Sequence, residues 1–182
     1  MTVTVRRASL GDAQRLAQIN VDAWRAAYTG LVPQVRLDGM QVDTYRARWL
    51  STLGENDGSG RLVLVAQVDG VVSTYCAGGP YRPQEDAAPE ETGTWGEIYA
   101  IYTDPLMQGQ GAGTAVHDAF LDDLHNRGFE QAALWVLQTN QRARGWYTSR
   151  GWRPDGAVAD WVSEGVAHPE TRLRISLPHR AP

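Results

Sequence analysis

Lysine is absent: all 17 basic residues among the 182 are arginine. A phosphate loop of the GxxxxGK[ST] type needs a lysine, and so does a Schiff-base enzyme, so both classes are excluded. Cysteine occurs once, at Cys76, which excludes an internal disulfide and any zinc or iron–sulfur centre built on cysteines. The four histidines, His117, His125, His168 and His179, show no metal-ligand spacing. No metal site is expected, and His117, at a place suited to an aliphatic residue, reads as a half-buried structural histidine. Basic charge is not in excess either. The formal net charge is −4, which argues against a protein built to hold nucleic acid. No apolar run approaches the roughly 18 residues of a membrane span. The opening MTVTVRRASLGDA carries no apolar segment of the secretory kind. A cytoplasmic protein that touches neither membrane nor nucleic acid is the expectation.

What is present describes an ordinary folded domain. Hydrophobic residues make up 42% and charged residues 21%, a balance that buries a core, and residues 1–182 read as one domain. Val3–Arg7 alternates as a short strand. Ser9 is a helix N-cap candidate, with Asp12 in the first turn. Leu16, Ile19, Ala23 and Trp24 then follow helical spacing to about Tyr28. A second helix is expected over 41–53. Strands are expected at Arg61–Val68 and Val71–Ala77 around an Asp69–Gly70 hairpin turn. Residues 80–94 read as an acidic loop carrying Glu85, Asp86, Glu90 and Glu91. A long strand at 95–103 leads through a glycine-rich turn to a helix ending near Arg127. A strand at 131–137 follows, then a helix over 140–150, a broken strand near 157–163 and a cleaner one at 171–177. The segment 95–137 is a βαβ unit, so its strands should lie parallel with a right-handed crossover.

The turn Gln108-Gly109-Gln110-Gly111-Ala112-Gly113 is the sharpest signal. Between a strand and a helix, free backbone N–H groups and the helix dipole receive phosphate, and glycine lets the backbone come close. The spacing is not the GxGxxG of a dinucleotide fingerprint, and the preceding strand lies past the middle of the chain.

The surroundings are informative. Glu97-Ile98-Tyr99-Ala100-Ile101-Tyr102-Thr103-Asp104-Pro105 precedes the turn, Asn140 opens the next helix, and Arg144-Gly145-Trp146-Tyr147 lies within it. Together with Trp24-Arg25-Ala26-Ala27-Tyr28-Thr29-Gly30 near the start, this closely resembles the GNAT family, the Gcn5-related N-acetyltransferases of small bacterial type. The resemblance implies an α/β GNAT fold: a mixed central sheet with a βαβ acetyl-CoA-binding core and flanking helices. It implies that the strand before the turn bulges and splays from its parallel neighbour. Backbone groups of Ile101, Tyr102 and Thr103 would then pair with the pantetheine arm. The N–H groups of Gln108, Gly109, Gln110, Gly111, Ala112, Gly113 and Thr114 would hold the pyrophosphate. Asn140 would contact the pantetheine arm, and Tyr147 would sit near the CoA sulfur. Many members carry arginine in or before the glycine turn. Here Gln108 and Gln110 stand there, so the charge would come from Arg142 or Arg144.

The implied reaction is direct acetyl transfer from acetyl-CoA, the co-substrate, to an amine acceptor on a small molecule or peptide. Glu97 would accept the ammonium proton, directly or through water, and Tyr147 would protonate the departing thiolate. On strict alternation Glu97, Tyr99 and Ile101 share a face, unless a bulge intervenes. Plainer readings stand beside these: Glu97 as an acid at a strand edge, Asn140 as an N-cap, Tyr147 as a core aromatic. Trp24 and Tyr28 could line the acceptor site, and the acidic loop favours a cationic acceptor. A non-catalytic acyl-CoA sensor is the alternative reading, a homodimer is left open, and the acceptor's identity is not readable.

Overall fold

A computed structural model describes residues 1–54, 60–82 and 94–177. The acidic residues Glu85, Asp86, Glu90 and Glu91 lie outside them. The elements in chain order are β1 (Val3–Arg7), α1 (Ala13–Tyr28), α2 (Gln34–Asp38), α3 (Val42–Gly54), β2 (Leu62–Val68), β3 (Val71–Pro80), β4 (Trp95–Thr103), α4 (Ala112–Asn126), β5 (Gln131–Leu137), α5 (Gln141–Thr148), β6 (Arg153–Ser163) and β7 (Val166–Ser176). The seven strands form one mixed sheet in the order β1-β2-β3-β4-β5-β7-β6. All pairings are antiparallel except that of β4 with β5, the two strands joined through α4. No helix among the described residues is long and apolar enough to cross a membrane.

The sheet is covered on both faces, as the apolar runs of β2 and β3 require. On one face α4 sets Val116, Phe120 and Leu124 against Leu64, Ile98, Ala132 and Leu134. On the other, Leu16 and Ile19 of α1 pack on Val63, Val65 and Tyr75, with Trp49 and Leu53 of α3 at the margin. None of the described α3 residues is fully buried. The Asp12 carboxylate accepts from the N–H and hydroxyl of Ser9, and Arg6 Nη2 lies 2.8 Å from it. That arrangement fixes the approach of the chain to α1.

Two features of β4 position everything that follows. First, Ala77 pairs with Ala100 but Gly78 pairs with Ile98, so Tyr99 is an extra residue in the ladder. A bulge of this kind reverses the alternation. Ile98 and Ile101 therefore both face α4, while Ala100 and Tyr102 face α1. Glu97 and Ile101 do not share a face, which corrects the strict-alternation reading. Second, the parallel ladder of β4 and β5 comprises only Trp95–Gln131, Gly96–Ala132 and Glu97–Ala133. Beyond it the strands diverge, and the β4 backbone groups that face β5 are left without a strand partner.

Candidate active site

The divergence opens a cavity of about 620 Å³ that passes through the sheet. Its lining draws on both faces: Ile101, Val136 and Tyr147 from the α4 side, and Tyr28, Tyr102 and Glu170 from the α1 side. A cavity at the carboxyl ends of parallel strands is where open α/β sheets receive ligands. All eleven residues expected at the cofactor line it, as does Tyr147, whereas Glu97 does not.

At one end sits the glycine turn. Gly109 (φ 77°) and Gly111 (φ 80°) are both left-handed, and a Cβ on either would meet no atom within 4 Å. Glycine is needed there for the backbone path, and the space beside it is free. Gly111 precedes Ala112, so the unsatisfied N–H groups of the first turn of α4 open into the cavity. Positive charge arrives from α5. Arg142 donates to Gln108 Oε1 at 2.6 Å. Arg144 is turned away and donates to the Gln138 carbonyl. Arg150 is the residue that sequence reasoning missed. It donates to Thr114 Oγ1 at 2.6 Å, lies over the Trp146 ring, and lines the cavity. Its Nε has no hydrogen-bond partner among the described residues. Its guanidinium, two residues past the end of α5, adds positive charge at the anion-receiving end.

Asn140 caps α5, its Oδ1 accepting from the Ala143 N–H at 3.1 Å, and it also reaches the cavity wall. The Tyr147 ring stands edge-on to Trp146 and Trp152, with only 8% of the residue exposed. Burial pushes its phenol well above the usual value, so the hydroxyl keeps its proton at any working pH. Cys76 is buried and its thiol is pushed up by burial, which removes it as a nucleophile. His117, expected to be half-buried, is 2% exposed, because Trp152 and Trp146 close over it.

The other end is aromatic. Trp24 stacks against Tyr28 and reaches Trp161, so it supports the wall, while Tyr28 itself lines the cavity. The Tyr28 and Tyr102 hydroxyls are 3.4 Å apart. Glu97 is buried beside this end and fully engaged. The Arg82 N–H donates to Oε2 at 2.9 Å, and its guanidinium donates to Oε1 at 2.8 Å and to Oε2 at 3.3 Å. With both oxygens held by one arginine, which itself stacks on Tyr99, Glu97 is built as a fixed negative charge.

The comparisons with known proteins agree with this geometry. The pattern of the Acetyltransferase (GNAT) family matches residues 16–152. The chain belongs to the GNAT acetyltransferase family. It is 33% identical over 139 residues to YuaI, an uncharacterized N-acetyltransferase of Bacillus subtilis (strain 168), covering 76% of this chain and 73% of that one. The fold is shared with YncA, a putative acetyltransferase of Salmonella typhimurium solved with acetyl-CoA (TM-score 0.70, 20% identity, 100% of this chain and 98% of that one). It is shared too with the PaiA N-acetyltransferase of Thermoplasma acidophilum, solved with coenzyme A (TM-score 0.71, 16% identity, 94% and 98%). The GNAT chain described here is an N-acetyltransferase with a mixed seven-stranded sheet.

Proposed function

We propose that this GNAT chain transfers an acetyl group directly from acetyl-CoA to an amine of a small molecule or peptide. The observation that carries the reading is the slot through the sheet, with an anion-receiving turn at one end and an aromatic, acidic chamber at the other. The turn from Gln108 to Thr114, with Arg142 and Arg150, would hold the pyrophosphate. The unpaired edge of β4 at Ile101, Tyr102 and Thr103 would pair with the pantetheine arm and set the thioester in the slot. A strand N–H there would polarise the thioester carbonyl and stabilise the oxyanion.

The reaction needs a neutral amine, because an alkylammonium with a pKa near ~10.4 has no free electron pair. Once deprotonated, its nitrogen forms a bond to the carbonyl carbon, and the carbonyl π electrons move to oxygen. Collapse of that adduct breaks the C–S bond. Tyr147 gives its proton to the thiolate and recovers one from the nitrogen of the adduct, directly or through water. No enzyme nucleophile is required, which agrees with the burial of Cys76.

The test is a panel of amines incubated with acetyl-CoA while free CoA thiol is followed. The panel includes phenethylamine, spermidine, phenylalaninamide, and peptides with a free N-terminus. Thiol release with formation of the acetylated amine supports the reading. A chain that binds acetyl-CoA and releases no thiol with any amine is a sensor, not a transferase.

A further inference from the structure

Glu170 is the only carboxylate among the described residues that line the cavity. It stands on β7, opposite Leu137 in the antiparallel ladder with β5. Residues directly opposite in such a ladder share a face. Leu137 packs with Val21 and Met40 on the α1 side, so Glu170 projects there too, at the wide end of the gap between β4 and β5. Among the described residues its carboxylate makes no hydrogen bond and no ion pair. The contrast with Glu97, whose oxygens are all taken by Arg82, is complete.

We infer that Glu170 is the catalytic base of the transfer: its carboxylate takes the ammonium proton of the acceptor at the α1-side mouth of the slot. The inference rests on the acetyltransferase reading above and adds to it the residue that makes the amine nucleophilic. One N–H bond of the ammonium breaks, its electron pair stays on nitrogen, and the proton bonds to a Glu170 oxygen. The neutral amine then attacks the thioester, and Glu170 later returns its proton to solvent.

The surroundings favour this role. Glu97 on β4 and Tyr28 on α1 are the ionisable groups that act on Glu170 from packed elements, and neither supplies positive charge. Its cross-strand neighbours, Leu137 on β5 and Ala159 on β6, are uncharged. On its own strand, Arg172 is paired to Asp155 at 2.8 Å, and the ring of His168 lies against Trp161. Burial first, and the Glu97 charge second, push the Glu170 carboxyl up to about 7, near the value that suits a base working at neutral pH. Glu97 thereby becomes a positioning residue, a fixed charge that tunes its partner. The cavity wall adds the Trp135 indole, whose Nε1–H lacks a partner among the described residues.

The experiment compares wild type with E170Q, E170D and E97Q, using the most active alkylamine and the most active α-amine from the panel. A base matters most for the alkylamine, whose pKa is near ~10.4, and less for an α-amine near ~7.7. E170Q should lower kcat for the alkylamine about 10²–10⁴-fold and for the α-amine by less, with acetyl-CoA affinity unchanged. It should also abolish the acidic limb of the kcat profile. E170D should recover part of the rate. E97Q should keep the limb but move it to lower pH, since a like charge has been removed. If E170Q retains kcat and the acidic limb, Glu170 is not the base. If wild type transfers to no amine at all, the acetyltransferase reading itself fails, and this one with it.

Discussion

The Trp152 indole N–H donates to His117 Nε2 at 3.0 Å, and both side chains are fully buried. Because Nε2 accepts, the ring proton sits on Nδ1, which faces Asp118 Oδ1 at 2.7 Å. The imidazole is thus held neutral, and its pKa is lowered, chiefly by burial. In the unfolded chain His117 takes a proton below about 6.5, while in the folded protein it takes one only at lower pH. Its contribution to stability is full above 6.5 and is lost as pH falls from there towards the folded value. Glu170 works in the opposite sense. Its raised carboxyl binds a proton more tightly in the folded state, so its contribution is lost as pH rises from about 4.5 through about 7. Urea unfolding of wild type and H117Q between pH 5 and 8 separates the two. The difference between them should be flat above 6.5 and should shrink below it. A constant difference throughout would mean that His117 does not titrate on unfolding.

Gly78 and Gly96 both sit where α4 approaches the sheet, yet they should tolerate alanine differently. A Cβ on Gly78 would collide with the Glu97 carbonyl oxygen across the bulge and would lie 2.6 Å from Phe120 Cζ. The three atoms nearest a Cβ on Gly96 would all belong to the Leu124 side chain, the closest at 2.7 Å, and a leucine end can rotate away. Backbone cannot yield without breaking the ladder. G78A should therefore cost at least the ~1–3 kcal/mol typical of overpacking, and G96A less than G78A. Equal midpoints in urea would show that the bulge gives way easily.

Much of the frame was legible because local signals bounded it. The strands Val3–Arg7, Trp95–Thr103 and Gln131–Leu137 stand where the sequence places them. Each is an apolar or alternating run closed by a turn residue. The short α2 was missed because five residues carry no measurable periodicity. The start of β6 at Arg153 was missed because Pro154, Asp155 and Gly156 read as a loop, whereas a register shift between Pro154 and Val158 absorbs them. The bulge at Tyr99 depends on the register with β3, which no local pattern encodes. Glu170 escaped notice for a similar reason. His168-Pro169-Glu170 looks like a loop before the strand expected at Thr171, yet β7 begins at Val166 and carries Glu170 into the cavity wall.

The free space beside Gly111 gives a direct test of where acetyl-CoA lies. G111V would add a side chain into that space at a left-handed position, so it combines strain with obstruction. Gly156 has a similar left-handed φ of 95°, and its Cβ would likewise meet nothing, but it is not among the cavity's lining residues. G156V therefore controls for strain. By calorimetry, G111V should weaken acetyl-CoA binding by about tenfold or more, a loss of roughly 1.4 kcal/mol, while G156V leaves it unchanged. Equal affinities in two folded variants would remove this turn from the site.

Tyr147 offers the sharpest separation of binding from chemistry. Its ring is a packing element, edge-on to Trp146 and Trp152 at centroid distances of 5.1 and 5.8 Å, and phenylalanine keeps that ring. Y147F should then leave the melting temperature and acetyl-CoA affinity close to wild type. If the hydroxyl protonates the thiolate, kcat should fall about 10²–10⁴-fold, because the interaction is used mainly in the transition state. The pH dependence distinguishes this loss from one at Glu170. Burial holds the Tyr147 phenol protonated across the assayable range, so its removal should lower the whole kcat profile without moving the acidic limb. E170Q should instead erase that limb. Near-wild-type kcat in Y147F at saturating substrates would assign the thiolate's proton to water and leave Tyr147 as a wall of the slot.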